Sequence, residues 1–263
     1  VDLKFKRKFL ARWRKYFDGA ALPITFEYTN DERDAELVTQ MRGAHCFMDS
    51  LREVFEGTSL RYSAGSFQCE GGRHYSGYSE GLGSDIADFL SCGKPGMKGE
   101  RYKKTPEIAA KAIAQVPWRA ATTKFIVFKR WDKLDETDNP EIVIFFATPD
   151  VLSGLFTLAG FDESDATGAT SAPFGSGCSQ IIQYPYAEKL SGRHRTILGL
   201  FDVSARPYLP DNGLSFAVSS EKFARMVENM DESFLITSSW AEVKRRIKRP
   251  SDFGQVENLA RRK

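Results

Sequence analysis

The stretch Ile142-Val143-Ile144-Phe145-Phe146-Ala147 is apolar at six consecutive positions. Side chains alternate between the faces of a strand, so a run with no polar residue needs cover on both faces. It predicts a central strand over 141–147 in a sheet packed against helices. Residues 196–203 (TILGLFDV) read as a second buried strand. Further strands are predicted over 22–28, 59–67, 123–130 and 214–218 by apolar and β-branched content. Helix signals lie between them. Thr105-Pro106-Glu107 opens a helix to about 116, and Thr148-Pro149-Asp150 opens one to about 159, with Pro in the first turn of each. Other helices are predicted over 35–55, 84–91, 219–229 and 238–248. The order predicts an α/β (or α+β) fold with a mixed central sheet covered by helices.

Residues 1–20 hold an amphipathic helix in which Leu3, Phe5, Phe9, Leu10, Trp13 and Phe17 interleave with Lys and Arg. It reads as a surface helix docking an apolar stripe. One globular domain is expected over 21–249, and residues 250–263 read as a polar C-terminal tail. The basic run Lys244-Arg245-Arg246-Ile247-Lys248-Arg249 reads as a solvated helix face, because no aromatic platform or readout motif accompanies it. Nucleic acid is therefore not an expected partner. With 37 Lys and Arg against 35 Asp and Glu, no overall field selects an acidic partner. No apolar stretch approaches the roughly 20 residues that span a bilayer, and no secretory signal is visible. A cytoplasmic protein with free thiols is the expectation; oligomeric state is not legible.

The order of elements suggests an internal duplication. Strand 22–28, helix 35–55 and strand 59–67 lead to Cys69; strand 141–147, helix 150–159 and an extended segment 167–174 lead to Cys178. Tyr75 and Tyr78 follow the first cysteine, and Tyr184 and Tyr186 the second. A pseudo-dyad would bring Cys69 and Cys178 together. Chance is an equal alternative, since β-α-β order is common.

The chemistry concentrates at Gly175-Ser176-Gly177-Cys178 and Cys69-Glu70-Gly71-Gly72. Glycines permit positive φ and let backbone N–H groups converge on an anion, and a helix N-terminus favours a thiolate. The plainer reading is two tight turns with buried thiols. No C-x-x-C pair exists, so zinc-ribbon and ferredoxin spacings are absent. The arrangement that remains takes one ligand from each of three segments. Cys46, Cys69 and Cys178 would hold a [4Fe–4S] cluster with one iron open to substrate, and Gly71, Gly72, Gly175 and Gly177 would surround it. Cys92 reads as structural, although a fourth-ligand role is open to it. His45 and His74 are candidate general bases or ligands, with a hydrogen-bonded structural role the commoner one. Arg101 and Asp202 are expected to line the same pocket. No nucleophile elbow, P-loop or Rossmann fingerprint appears.

The leading expectation is an iron–sulfur enzyme acting on a small, anionic substrate: a lyase, a sulfur-transfer enzyme or an oxidoreductase. One alternative is a metal-free enzyme or binder using Cys178 as thiolate nucleophile. Another is a non-catalytic interaction module with basic ends.

Several runs together resemble the prokaryotic family catalogued as Domain of Unknown Function 169. They are Gly99-Glu100-Arg101-Tyr102-Lys103-Lys104-Thr105-Pro106-Glu107, Ile144-Phe145-Phe146-Ala147, Ala172-Pro173-Phe174-Gly175-Ser176-Gly177-Cys178 and Gly199-Leu200-Phe201-Asp202-Val203-Ser204-Ala205-Arg206-Pro207, with the Cys69-x-Gly-Gly element. The likeness covers most of residues 20–248. The resemblance implies a shared scaffold found widely in anaerobic bacteria and archaea, a distribution compatible with an oxygen-sensitive cluster.

Overall fold

The computed structural model describes residues 1–39 and 46–247. In chain order the elements are α1 (Leu3–Tyr16), β1 (Ile24–Thr29), β2 (Glu36–Leu37), α2 (Phe47–Glu56), β3 (Leu60–Tyr62), α3 (Glu70–Tyr75), α4 (Ile86–Leu90), α5 (Pro106–Ala114), β4 (Phe125–Arg130), β5 (Ile142–Ala147), α6 (Pro149–Ala159), β6 (Thr170–Ser171), α7 (Gly177–Ile181), α8 (Gln183–Leu190), β7 (Thr196–Gly199), β8 (Leu214–Ser219), α9 (Ser220–Asn229) and α10 (Ser238–Lys244). Among the described residues the strands form one mixed sheet of eight, in the order β2-β3-β4-β1-β5-β8-β7-β6.

β5 lies inside this sheet, as its unbroken apolar run requires. Ile142, Ile144 and Phe146 point into one core cluster, and Val143, Phe145 and Ala147 into the other. The first cluster packs α2 and α7 on one face through Phe47, Leu51, Val54 and Ile181. The second packs α1, α6, α9 and α10 on the opposite face through Trp13, Leu155, Phe223 and Trp240. The result is helix, sheet, helix, each layer hiding the apolar side of the next.

The strand order is pseudo-symmetric, in a different correspondence from that of the predicted duplication. The order β2-β3-β4-β1 is repeated in mirror sequence as β5-β8-β7-β6. β2 pairs parallel with β3, and β6 pairs parallel with β7. β3 and β4, and likewise β7 and β8, pair antiparallel, and β1 meets β5 antiparallel at the centre. Cys46 caps the helix after β2, and Cys178 lies in the helix after β6. The pseudo-symmetric mate of Cys178 is therefore Cys46, not Cys69.

Other boundaries shift for identifiable reasons. The helix predicted over 35–55 begins only at Phe47, because Glu36 and Leu37 pair with Leu60 and Arg61 as an edge strand. The strand predicted over 196–203 ends at Gly199, because Leu200 takes φ 68° and its N–H donates to Gln180 Oε1 at 2.6 Å. A buried leucine with left-handed backbone is uncommon, and here the turn throws residues 201–205 across the site. α1 docks its apolar stripe on the core as expected: Phe9 and Trp13, with Phe17 just past the helix end, are fully or almost fully buried, while Arg7, Arg14 and Lys15 stay exposed. The predicted tail, 250–263, lies outside the described residues.

Candidate functional site

Three helix starts on one side of the sheet converge on a cavity of about 970 Å³. Cys46 is the N-cap of α2, Cys69 the N-cap of α3, and Cys178 the second residue of α7. All three line the cavity, as do Gly71, Gly72, Gly175 and Gly177. The segment 82–116, carrying α4 and α5, closes the opposite wall, and residues 201–205 form a third side.

The glycines serve close approach and not unusual backbone. None of the four has positive φ, which corrects the expected nest. A Cβ on Gly72 would stand 2.7 Å from Cys69 Sγ and 2.8 Å from Phe47 Cβ, so only glycine lets α3 settle beside α2. A Cβ on Gly175 would strike Ser179 Oγ at 2.4 Å. Gly71 faces open space within the cavity lining. The Gly177 N–H is already taken, donating to Asp202 Oδ2 at 3.1 Å.

Asp202 is a clasp. Its Oδ1 accepts from Ser204 N–H at 3.1 Å, Ser204 Oγ at 2.8 Å and the Tyr102 hydroxyl at 3.4 Å, while Oδ2 holds the start of α7. It joins three walls of the cavity and fixes the helix that carries Cys178. Asn at this position offers one acceptor oxygen where the carboxylate offers two, and leaves one set of donors facing an NH2. Asp202→Asn is expected to cost about 1–3 kcal/mol in urea unfolding; a change below about 0.5 kcal/mol would show that the clasp carries no stability.

Arg101 does not reach the cavity. It is exposed with φ 57°, and the neighbouring Tyr102 supplies the lining side chain instead. His74 is buried away from the lining. Its ring stacks on Trp118 at 5.6 Å and its Nδ1 bonds the Ser79 carbonyl at 2.9 Å, the structural role expected of most such histidines. His45 lies outside the described residues. Cys92 is exposed, bonds the Lys104 carbonyl at 3.0 Å and takes no part in the cavity.

The electrostatics of the thiols are distinctive. Burial pushes the Cys178 thiol well above its ordinary value, and Cys69, Cys46 and Asp202 push it further. Burial and Cys69 likewise raise Cys46, against backbone N–H groups of Met48 and Asp49 that lower it. Cys69 Sγ accepts from Gly72 N–H at 3.2 Å. Among the described residues no Lys, Arg or His lines the cavity, whereas Glu70, Asp85 and Asp202 do. Among the described lining residues, lone thiolates have no cation to offset them. Tyr75, which followed Cys69 in the sequence pattern, lines the cavity with its hydroxyl bonded to Ser176; burial and Cys178 push it up to about 12, so it holds its proton at neutral pH.

This predicts a pH response of the metal-free protein. Folded-state values above the usual thiol value of 9.0 mean that the unfolded chain loses these protons first. The native state then binds more protons, so stability is complete below pH about 9 and falls as pH rises through the folded values. Cys178→Ala should flatten the fall between pH about 9 and about 10, before buried tyrosines titrate. An unchanged slope in urea titrations would contradict it.

The model of the family described as DUF169, uncharacterised ArCR, matches residues 14–229. The chain belongs to the DUF169 family. No curated protein and no solved structure matches it. The match to the DUF169 model takes in all three cavity cysteines, Asp202 and the sheet, together with the final turn of α1. No helix among the described residues of this DUF169 protein is long and apolar enough to cross a membrane.

Proposed function

We propose that this DUF169 protein is an iron–sulfur enzyme in which Cys46, Cys69 and Cys178 hold three corners of a [4Fe–4S] cluster and the cavity admits a small-molecule substrate to the fourth. The observation that carries the reading is the meeting of these thiols, with Cys178 more than a hundred residues along the chain from the other two, in one cavity whose described lining has carboxylates and no cation. Burial and neighbouring thiols make free thiolates at Cys46 and Cys178 costly there, and a cationic metal core removes that cost.

The donor set fits the group. Thiolates are the ligands of iron–sulfur clusters, and N–H donors to the sulfurs tune them; Cys69 has the Gly72 N–H, while Cys46 caps α2 without a side-chain hydrogen bond to its N–H groups. Among the described residues no three His, Cys, Asp or Glu side chains stand at single-ion spacing. A cluster spreads its ligand sulfurs to about 6–7 Å, wider than a single ion does. When bound, such a cluster supplies an open iron that polarises a substrate atom or passes electrons. The chain's own residues do the rest. Asp202 positions α7, Tyr75 offers a proton at its hydroxyl, and the segment 82–116 shields the site from water.

A metal-free nucleophile at Cys178 is the weaker reading, because its surroundings raise the thiol instead of lowering it. The proposal is tested by anaerobic purification. A brown protein whose visible charge-transfer absorption bleaches in air supports it. A colourless protein whose Cys178 alone alkylates rapidly supports the nucleophile.

A further inference from the structure

The charge and shape of the cavity say what kind of molecule it takes. Its volume, about 970 Å³, is at the upper end of small-molecule sites, roughly 300–1,000 Å³. Of the thiols that line it, Cys178 is buried and Cys46 and Cys69 are half-buried. Away from them the wall is apolar, built by Ile86, Leu90, Met97, Ile113 and Val116. The mouth is apolar too. Phe89, Phe174, Phe201 and Val203 line the cavity while remaining 38%, 46%, 51% and 67% exposed. They are four of the ten large apolar side chains exposed among the described residues, so exposed apolar surface is concentrated at this opening.

This surface is built and not frayed. The Phe174 carbonyl accepts from the Tyr184 hydroxyl at 2.9 Å, and the preceding Pro173 carbonyl accepts from Gln180 Nε2 at 2.9 Å. Lys103 Nζ stands 3.6 Å from the centre of the Phe174 ring but does not line the cavity. Asp85, at the rim, is paired with Lys94 at 2.6 Å. Asp202 spends its oxygens on the clasp. Past the rim, where Lys94 and Lys103 stand, an anion would meet carboxylates, apolar walls and, among the described lining residues, no counter-charge. The small anionic substrate expected from the sequence rested on glycine nests and on Arg101; none of the four glycines has positive φ, and Arg101 lies outside the lining.

We infer that the cavity takes an uncharged, largely apolar, ring-bearing small molecule, its body along α4 and α5 and its far end at the three thiols. The position of the reacting end rests on the proposed cluster; the apolar body does not.

The test uses the full-length chain with a matched pair of probes, methyl 2-naphthoate and 2-naphthoate, titrated by fluorescence with and without reconstituted iron. The neutral ester is expected to bind about tenfold or more tightly than the carboxylate. Phe174→Asp and Val203→Asp, both at exposed positions, should each weaken ester binding about tenfold or more, and Ile236→Asp, an exposed apolar residue outside the cavity lining, should leave it unchanged. Circular dichroism establishes that each variant is folded, and the two substitutions serve as independent checks. Equal or tighter binding of the carboxylate overturns the assignment, as does ester binding that ignores both cavity substitutions. Ester binding in a protein that takes up no iron would defeat the cluster and leave the apolar site standing. Iron without ester binding would do the reverse.

Discussion

Replacing any one of Cys46, Cys69 or Cys178 by Ala is expected to take the anaerobically reconstituted protein from about four irons per chain to below about one. Three thiolates fill three of the four irons and leave one for substrate, and the described lining offers no spare thiol or histidine to replace a lost one. Cys92→Ala should retain full iron, because Cys92 is exposed and bonded to Lys104 instead of the cavity. The comparison is internal: all four variants remove one thiol, and only three remove one from the cavity. Full iron in all four, or equal loss in all four, would contradict the assignment. Urea unfolding of the metal-free variants separates lost ligation from lost fold.

Trp13→Ala is expected to destabilise the protein by about 3–5 kcal/mol, the range for deleting a large buried aromatic side chain. Trp13 is 3% exposed, stacks on Phe17 with ring centres 4.4 Å apart and tilts against Phe145 of the central strand at 5.1 Å. The second core cluster is assembled around such contacts between α1, β5 and α9. A loss below about 1 kcal/mol in urea unfolding would mean that the docked stripe of α1 adds little to the core. Periodicity reported which face of this helix is apolar, and the structure adds how completely that face is covered.

That distinction runs through the molecule. The inner strands were legible because their side chains report burial directly: 141–147 and 214–218 lie within one residue of β5 and β8. Pairing is not encoded so locally, so Glu36 and Leu37 read as helix although they form an edge strand. The site was legible in its cysteines and glycines. It was less so in its partners, since Arg101 and Tyr102 are adjacent and a loop carries no period to say which turns inward. The positive φ of Leu200, which aims Asp202 and Phe201 at the site, left no mark in composition. The equivalence of Cys46 with Cys178 depends on strand order across the whole sheet, which linear comparison of the halves cannot see.

The central claim is that three thiols in this cavity belong to one cluster. The direct measurement is iron and acid-labile sulfide per chain in protein purified and reconstituted without oxygen. About four of each are expected in the wild-type protein. Wild-type protein that remains free of iron and sulfide under those conditions would contradict it.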